Sequence, residues 1–223
     1  MLRALAWLGG AVFVASLGYG VYFYAVVLAA PGPPTGPALP AALFDITLFT
    51  AFALHHSIFA RTRIKRLLSA LIPPQAERTA YVWIASLFFL ALCLLWQPLP
   101  GMAYRVDGAA RWLLYGAQVV GVALTWRAAA VIDPLDLSGI RQASGRGHST
   151  EFRVIGPFRF VRHPIYLGWL LIVFAAPLMT MNRLLFATVS SVYLLIAIAW
   201  EERSLVDAFG ERYRAYQREV RWR

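Results

Sequence analysis

Several stretches of this chain are nearly free of charge and long enough, or almost long enough, to cross a lipid bilayer: Ala4 to Ala30, Pro40 to Ala60, Thr79 to Leu99, Trp112 to Ile132, Pro164 to Met181 and Leu184 to Trp200. A hydrocarbon core about 30 Å thick takes about 20 apolar residues as a helix. Inside it the backbone must satisfy its own hydrogen bonds, which a helix does within one segment. Residues of the set AVILMFWYC make up 60% of the chain and charged residues 14%. Soluble domains run at roughly 45–50% and about 25% on a similar residue set. The expectation is an all-α polytopic integral membrane protein with about six spans, forming a single membrane domain over residues 1–223.

Loop charges set the orientation, because cytoplasmic loops collect Lys and Arg. With the N-terminus inside, Arg105, Arg111 and Arg183 are the only members of the 21 Lys and Arg that fall on outer segments. A five- or seven-span arrangement would put the basic tail outside, so both termini are expected to be cytoplasmic. The first block is too long for a signal-peptide core of about 7–15 residues and reads as an anchor. The net charge of +10 then follows from orientation and from attraction to membrane lipid, about 1 kcal/mol per basic residue near an anionic surface. It requires no nucleic acid. Cys93 is the only cysteine, which excludes an intrachain disulfide and any multi-cysteine metal site. In mid-span it reads as a small packing residue.

Four plain spans occupy residues 1–133, and the polar content is concentrated in residues 134–223. That second part comprises a long inner loop, a helical hairpin turning at Asn182-Arg183, and a C-terminal amphipathic helix. In the tail, Leu205, Phe209, Tyr213, Tyr216 and Val220 fall on one helical stripe, which should lie on the membrane or pack under the bundle. Gly210 weakens that helix by about 1 kcal/mol relative to Ala. The proline-rich run from Pro31 to Pro37 is an outer loop that cannot be helical. Asp45, near the outer end of its span, is expected to be solvated.

The run from Gly156 to Gly168 is the most informative. Pro164 suits the first turn of a helix, where its missing N–H costs nothing. The free N–H groups and dipole of that helix end favour an anion, and Arg162 and His163 stand beside it. Glu201-Glu202 lie where the sixth span reaches the cytoplasm, and a carboxylate there suits an ammonium or sulfonium group. Adjacent helical residues point about 100° apart, so the two acids are not expected to enter one pocket. The hairpin brings the base-bearing and acid-bearing ends to one membrane surface, an arrangement suited to a zwitterionic, amino-acid-like ligand. His55-His56-Ser57 ends the second span. Adjacent histidines rarely share one metal and no H-E-x-x-H is present, so these read as interfacial or substrate-facing groups, with no metal expected. Neither G-x-G-x-x-G nor G-x-x-x-x-G-K-[ST] occurs, and Gly145-Arg146-Gly147 reads as a flexible loop.

The run Arg162-His163-Pro164-Ile165-Tyr166-Leu167-Gly168, followed by Glu201-Glu202, Leu205, Phe209-Gly210, Tyr213 and Tyr216, resembles the isoprenylcysteine carboxyl methyltransferase and phospholipid methyltransferase superfamily. The pattern is R-H-P-x-Y-x-G, then E-E-x-x-L-x-x-x-F-G-x-x-Y-x-x-Y. The front of the chain looks like the bacterial methanethiol S-methyltransferase branch: His55-His56-Ser57 with Ala60-Arg61, Glu77 to Val82, Trp96-Gln97-Pro98, Asp136 to Gln142, and Thr180 to Ala187. The resemblance implies an enzyme that uses S-adenosyl-L-methionine, held at the cytoplasmic end of the last hairpin in a bacterial inner membrane. Carried over by position, Gln142, His163, Tyr166 and Glu201 match cofactor-contacting places; with Arg162, Pro164, Gly168 and Glu202 they are the cofactor-binding candidates. His55 and His56 are candidates to deprotonate a thiol.

Three departures qualify the match. Phe158 replaces a family Tyr. Isoprenylcysteine enzymes carry an Arg one turn before the cofactor Glu, and here that place is Ala197, which argues against a prenylcysteine acceptor. The Asn-His of the thiol branch is Asp133-Pro134 here. The implied reaction is direct displacement at a sulfonium, needing alignment and no metal; positioning supplies on the order of 7–11 kcal/mol and aromatic faces on the order of 1 kcal/mol through cation–π contact. The expected acceptor is a small thiol or lipophilic molecule, with no obligate protein partner. A second class is a membrane NADPH-dependent sterol-type reductase, whose similar run carries Asn and Glu where this chain has Ile165 and Trp169. A third is a non-enzymatic nitrite- or haem-associated membrane protein.

Overall fold

The computed structural model describes residues 2–33, 37–59, 74–132 and 152–220. Its elements are helical apart from one short two-stranded sheet, as expected for an all-α polytopic membrane protein. The chain separates into two compact units. The first holds α1 (Leu2–Tyr22, continued by a π-helical turn at Phe23–Val27), α2 (Ala38–Phe59) and α3 (Pro74–Leu95). The second holds β1 (Met102–Arg105), α4 (Ala110–Ile132), a 3-10 turn (Gly156–Arg159), α5 (Pro164–Phe174), most of β2 (Leu178–Thr180), nearly all of α6 (Met181–Phe209), and α7 (Glu211–Glu219).

Four segments, Leu2–Val27, Ala38–Ser57, Ala110–Val131 and Met181–Phe209, are long and apolar enough to cross a membrane, and Thr79–Leu95 and Pro164–Phe174 are shorter apolar helices. Much of their apolar surface points outward: Leu113 and Trp126 of α4 are 78% and 75% exposed. In water such a surface would drive aggregation; against acyl chains it is the expected face.

The helices of the first unit approach closely through glycines. A Cβ on Gly9 would lie 2.8 Å from the Trp83 indole nitrogen, and one on Gly20 would lie 2.7 Å from the Phe89 ring. Small residues at such points let helices pack without a hydrophobic driving force between them. Beyond the π turn, a polar clasp gathers three chain segments. The Leu99 N–H donates to Asn182 Oδ1 at 2.7 Å, and Asn182 Nδ2 donates to the Ala30 carbonyl at 3.0 Å. The Thr180 hydroxyl donates to the Leu28 carbonyl, and the Gly32 N–H to the Leu99 carbonyl at 2.7 Å. Asp45 belongs to this region and corrects its expectation of solvation. It is fully buried, and its Oδ1 accepts the Gln97 N–H at 2.8 Å. Gln97 lies past the end of α3, and its backbone N–H, no longer in the helical ladder, needs an acceptor.

In the second unit α4 and α5 cross backbone to backbone. A Cβ on Gly168 would sit 2.3 Å from Thr125 Oγ1 and 2.7 Å from the Gly121 carbonyl oxygen. Gln118 Nε2 donates to the Ile172 carbonyl at 2.8 Å, tying the same pair further along.

The hairpin differs from its expected form. Its first arm stops at Phe174 and does not run to Met181. Eleven residues rise about 16 Å, about half of a hydrocarbon core. Pro177 provides the reason, since it disfavours helix at Ala176 before it and the chain becomes extended as β2. Asn182 and Arg183 are therefore not the turn but lie in the first turn of α6. At its other end α6 runs on to Phe209, so Glu201-Glu202 lie inside the helix and not at its C-terminus. The tail is likewise not one continuous helix. Gly210 takes φ +56° and separates α6 from α7, a backbone conformation that glycine adopts without a Cβ penalty.

Two outcomes follow for stability in detergent. Gly168→Ala should cost about 1–3 kcal/mol by overpacking, read as a lowered thermal midpoint. Adding Thr125→Ala should restore only part of it, because the Gly121 carbonyl still stands in the way. Asn182→Ala should destabilise by about 1–3 kcal/mol through stranded buried backbone groups, measured the same way.

Candidate functional site

The site forms where the chain enters α5. The Gly156–Arg159 turn starts from Gly156 at φ +57° and leads into Val161, Arg162 and His163. Pro164 opens α5, and the His163 carbonyl accepts the Tyr166 and Leu167 N–H groups, each at 3.1 Å. This first turn fixes His163 and Tyr166 on one side, with their rings stacked at 5.3 Å and 6° between planes.

Both acids of α6 meet that pair. Glu202 Oε1 lies 3.3 Å from His163 Nε2, and Glu201 Oε2 lies 3.5 Å from His163 Nδ1. The Tyr166 hydroxyl donates to Glu201 Oε2 at 2.6 Å. The two adjacent glutamates thus meet at one imidazole, while only Glu202 is buried and Glu201 stays exposed, as their angular offset predicts. The imidazole is wide enough for each carboxylate to reach a different ring nitrogen, so the angular offset is bridged by the ring. Only a doubly protonated ring donates to both at once.

The two acids nevertheless differ. Glu202 is buried, and its Oε1 accepts Arg162 Nε and Nη2, both at 2.9 Å. Gln217 Nε2 approaches Glu202 Oε2 at 3.4 Å. Arg162 is buried as well, and its Nη1 donates to the Val220 carbonyl at 2.7 Å and to the Gln217 carbonyl at 3.3 Å. All three guanidinium nitrogens are therefore committed to protein acceptors. Arg162 caps the C-terminal end of α7, a favourable place for a cation, and positions Glu202; it does not present a free charge to an anion. Glu201 is the open member. Its side chain is 44% exposed, and its Oε1 makes no hydrogen bond among the described residues.

An aromatic cluster holds α7 in place. Phe152 contacts Phe209, Tyr213 and Tyr216 at ring-centroid distances of 5.2, 5.6 and 5.4 Å. Tyr213, Tyr216 and Val220 are buried there, with Leu205 and Phe209 against them. The tail stripe thus packs on itself across the Gly210 break. The Tyr216 hydroxyl donates to the Phe158 carbonyl at 2.6 Å. Burial pushes this hydroxyl up to about 12 against the opposing pull of the Arg162 guanidinium, so it stays a donor at any working pH. Tyr213 is shifted upward as well, first by burial and then by Glu202. Beside Glu202 opens a cleft of about 350 Å³ lined by Ala199, Glu202, Arg203, Val206, Asp207 and Gln217.

The hairpin therefore brings together Arg162, His163, Pro164, Tyr166, Glu201 and Glu202. Gly168 stands apart from them at the α4–α5 crossing. Gln142 lies outside the described residues. His55 and His56 belong to the other unit. There, His55 is buried with its ring stacked 5.0 Å from Phe88 and 5.9 Å from Tyr81, and His56 Nδ1 is 2.8 Å from the Tyr81 hydroxyl. Sequence reasoning missed Phe152, Gln217 and the Val220 carbonyl. A lone aromatic in a polar loop, a lone amide and a main-chain oxygen leave no periodic signal.

Residues 146–212 match the family model described as phospholipid methyltransferase. The chain is 38% identical over 194 residues to methanethiol S-methyltransferase 2 of Bradyrhizobium diazoefficiens, covering 85% of this chain and 74% of that protein. It is 34% identical over 221 residues to the methanethiol S-methyltransferase of Mycobacterium tuberculosis, covering 94% and 89%. More distantly, it is 25% identical over 180 residues to the nurim homolog of Drosophila melanogaster, covering 73% and 69%. No solved structure matches. The family match spans the hairpin that builds the polar cluster, and the alignments to the bacterial enzymes run along most of both chains; the chain therefore belongs to the methanethiol S-methyltransferase family of membrane methyltransferases.

Proposed function

We propose that this membrane methyltransferase moves a methyl group from S-adenosyl-L-methionine to a small thiol at the cytoplasmic face of a bacterial inner membrane, with both termini inside. The observation that carries the donor assignment is the asymmetry between the two acids. Glu202 is neutralised by Arg162. Among the described residues Glu201 has no guanidinium partner and is oriented by Tyr166 and His163 through Oε2. A half-exposed carboxylate with a preset direction and a spare oxygen suits the ammonium of the donor's methionine end. The positive end of the α5 dipole, opening at Pro164, lies beside it for the donor's carboxylate. Gln142 is proposed to contribute from the inner loop, and the surrounding membrane lipid completes the setting.

When bound, the donor supplies an electrophilic methyl on a sulfonium that leaves as a neutral thioether. The protein's part is alignment, which is worth on the order of 7–11 kcal/mol. The Tyr166 ring, stacked on His163, offers an aromatic face near Glu201 for the positive charge. His55 and His56 are the candidates to take the thiol proton. Ala197, one turn before Glu201, offers no charge to hold an acceptor carboxylate, which favours a small uncharged thiol over a prenylcysteine.

Calorimetric titration of S-adenosyl-L-methionine into the detergent-purified protein tests the donor. Glu201→Gln should weaken binding about 10-fold or more, because a hydrogen bond to a charged group is worth about 1.5–3 kcal/mol. Unchanged affinity in a folded variant would sink this role for Glu201. The acceptor is tested by supplying the donor with methanethiol and measuring dimethyl sulfide in the headspace. Turnover of methanethiol is expected; turnover of a phospholipid or prenylcysteine alone would overturn the thiol assignment.

A further inference from the structure

The side of α6 turned away from Glu201 carries a second concavity. At about 100° per residue, Glu201 stands about 140–160° around the helix from Ala199, Arg203 and Val206. Those three line the cleft of about 350 Å³ together with Glu202, Asp207 and Gln217. Ligand pockets run from about 300 Å³ upward. All of its walls belong to the second unit. Toward the N-terminus of α6, Val192, Leu195 and Ile196 fall on the same side of the helix as Ala199, and all four are exposed, Leu195 by 65%. An exposed apolar stripe therefore leads into a polar cleft.

Along this face the order is apolar, cationic, anionic. Ala199, Arg203 and Asp207 follow one another at four positions, about 6 Å of rise each. Arg203 and Asp207 are exposed. The ion pairs of the tail join Glu211 to Arg214 and Arg218; among the described residues Arg203 and Asp207 form none. An Arg four places before an acid is also the weaker order for such a pair. Glu202, the buried wall, is already paired with Arg162.

We propose that the stripe and the cleft form a binding site for a membrane phospholipid with a primary ammonium in its headgroup, held there and not methylated. An acyl chain lies on the apolar stripe, the phosphate meets the Arg203 guanidinium, and the ammonium meets the Asp207 carboxylate. In such a lipid the phosphate follows the acylated glycerol and the ammonium follows the phosphate, so its three parts come in the order of the helix face. The guanidinium fork matches phosphate oxygens. Asp207 supplies the selectivity: a trimethylammonium has no N–H to donate to it, and a glycerol headgroup brings it no positive charge. The site lies away from Glu201 and does not depend on the methyl-transfer reading.

Native mass spectrometry of the detergent-purified full chain, titrated with phosphatidylethanolamine, phosphatidylcholine or phosphatidylglycerol, tests this. Phosphatidylethanolamine should bind about 10-fold or more tightly than the other two, through charge-assisted hydrogen bonds to Asp207. Asp207→Asn should erase that preference, and Arg203→Gln should weaken all three lipids about 10-fold. Both residues are exposed, so thermal midpoints in lipid-free detergent should stay at the wild-type value and show that the variants fold. Soluble phosphoethanolamine should compete about 10-fold or more weakly than the lipid, lacking the apolar contact; equal competition would overturn the stripe as part of the site. Equal binding of phosphatidylethanolamine and phosphatidylcholine by the wild type would overturn the site, as would undiminished phosphatidylethanolamine binding in the folded double variant. Affinity for S-adenosyl-L-methionine should be unchanged in both single variants; its loss would make the cleft part of the donor site and overturn the lipid assignment. N-methylated lipid formed on adding the donor would overturn the holding role.

Discussion

The ion pair between Arg162 and Glu202 is the contact on which the rest of the site hangs. Both groups are buried, and stranding one by removing the other costs about 3–5 kcal/mol. The guanidinium reaches three parts of the chain at once: the entry to α5 that carries it, the middle of α6 at Glu202, and the end of α7 at Val220. These parts are distant in sequence, and the guanidinium ties them together beside the aromatic cluster that packs α7. A planar five-donor fork can satisfy a carboxylate and two carbonyls together, which a lysine cannot. One residue thus sets the angle at which the hairpin and the tail meet.

That pairing divides the work between two neighbouring acids. Glu202 serves as the structural partner of the guanidinium, and this frees Glu201 from having one. Without Arg162, both carboxylates would compete for His163, and the site would carry uncompensated negative charge in both directions. With it, the excess negative character is concentrated on one half-exposed oxygen. His163 is the hinge of the arrangement. It sits at the start of α5, reaches both acids, and supports the ring of Tyr166 that orients the outward one.

Much of this is readable from the residues alone, and the failures have physical causes. Long uncharged blocks identify helices in lipid because a helix satisfies its backbone within one continuous segment, so the all-α membrane architecture is plain. Pro164 marks the start of α5, and the stripe from Leu205 to Val220 marks the packed face of the tail. The hairpin turn falls elsewhere than expected because Ala175 to Met181 is apolar almost throughout, and hydropathy does not distinguish a strand from the last turns of a span. Asp45 escapes the reading because an acid near a loop reads as solvated; its acceptor role depends on the Gln97 N–H, which is freed only by the end of α3. The shared contact of Glu201 and Glu202 with His163 is not foreseen by helix geometry taken alone. A ring with two separated nitrogens bridges the angular offset, and sequence carries no record of where such a ring will sit.

The short α5 bears on the chemistry as well as the fold. A helix of eleven residues is long enough to span only about half a hydrocarbon core, and its polar first turn and Trp169 lie within about one and a half turns of each other on it. Under the function proposed above, the polar first turn would take the charged donor from the aqueous side and the acceptor would arrive dissolved in lipid. A small thiol partitions into both phases and needs no carrier to arrive.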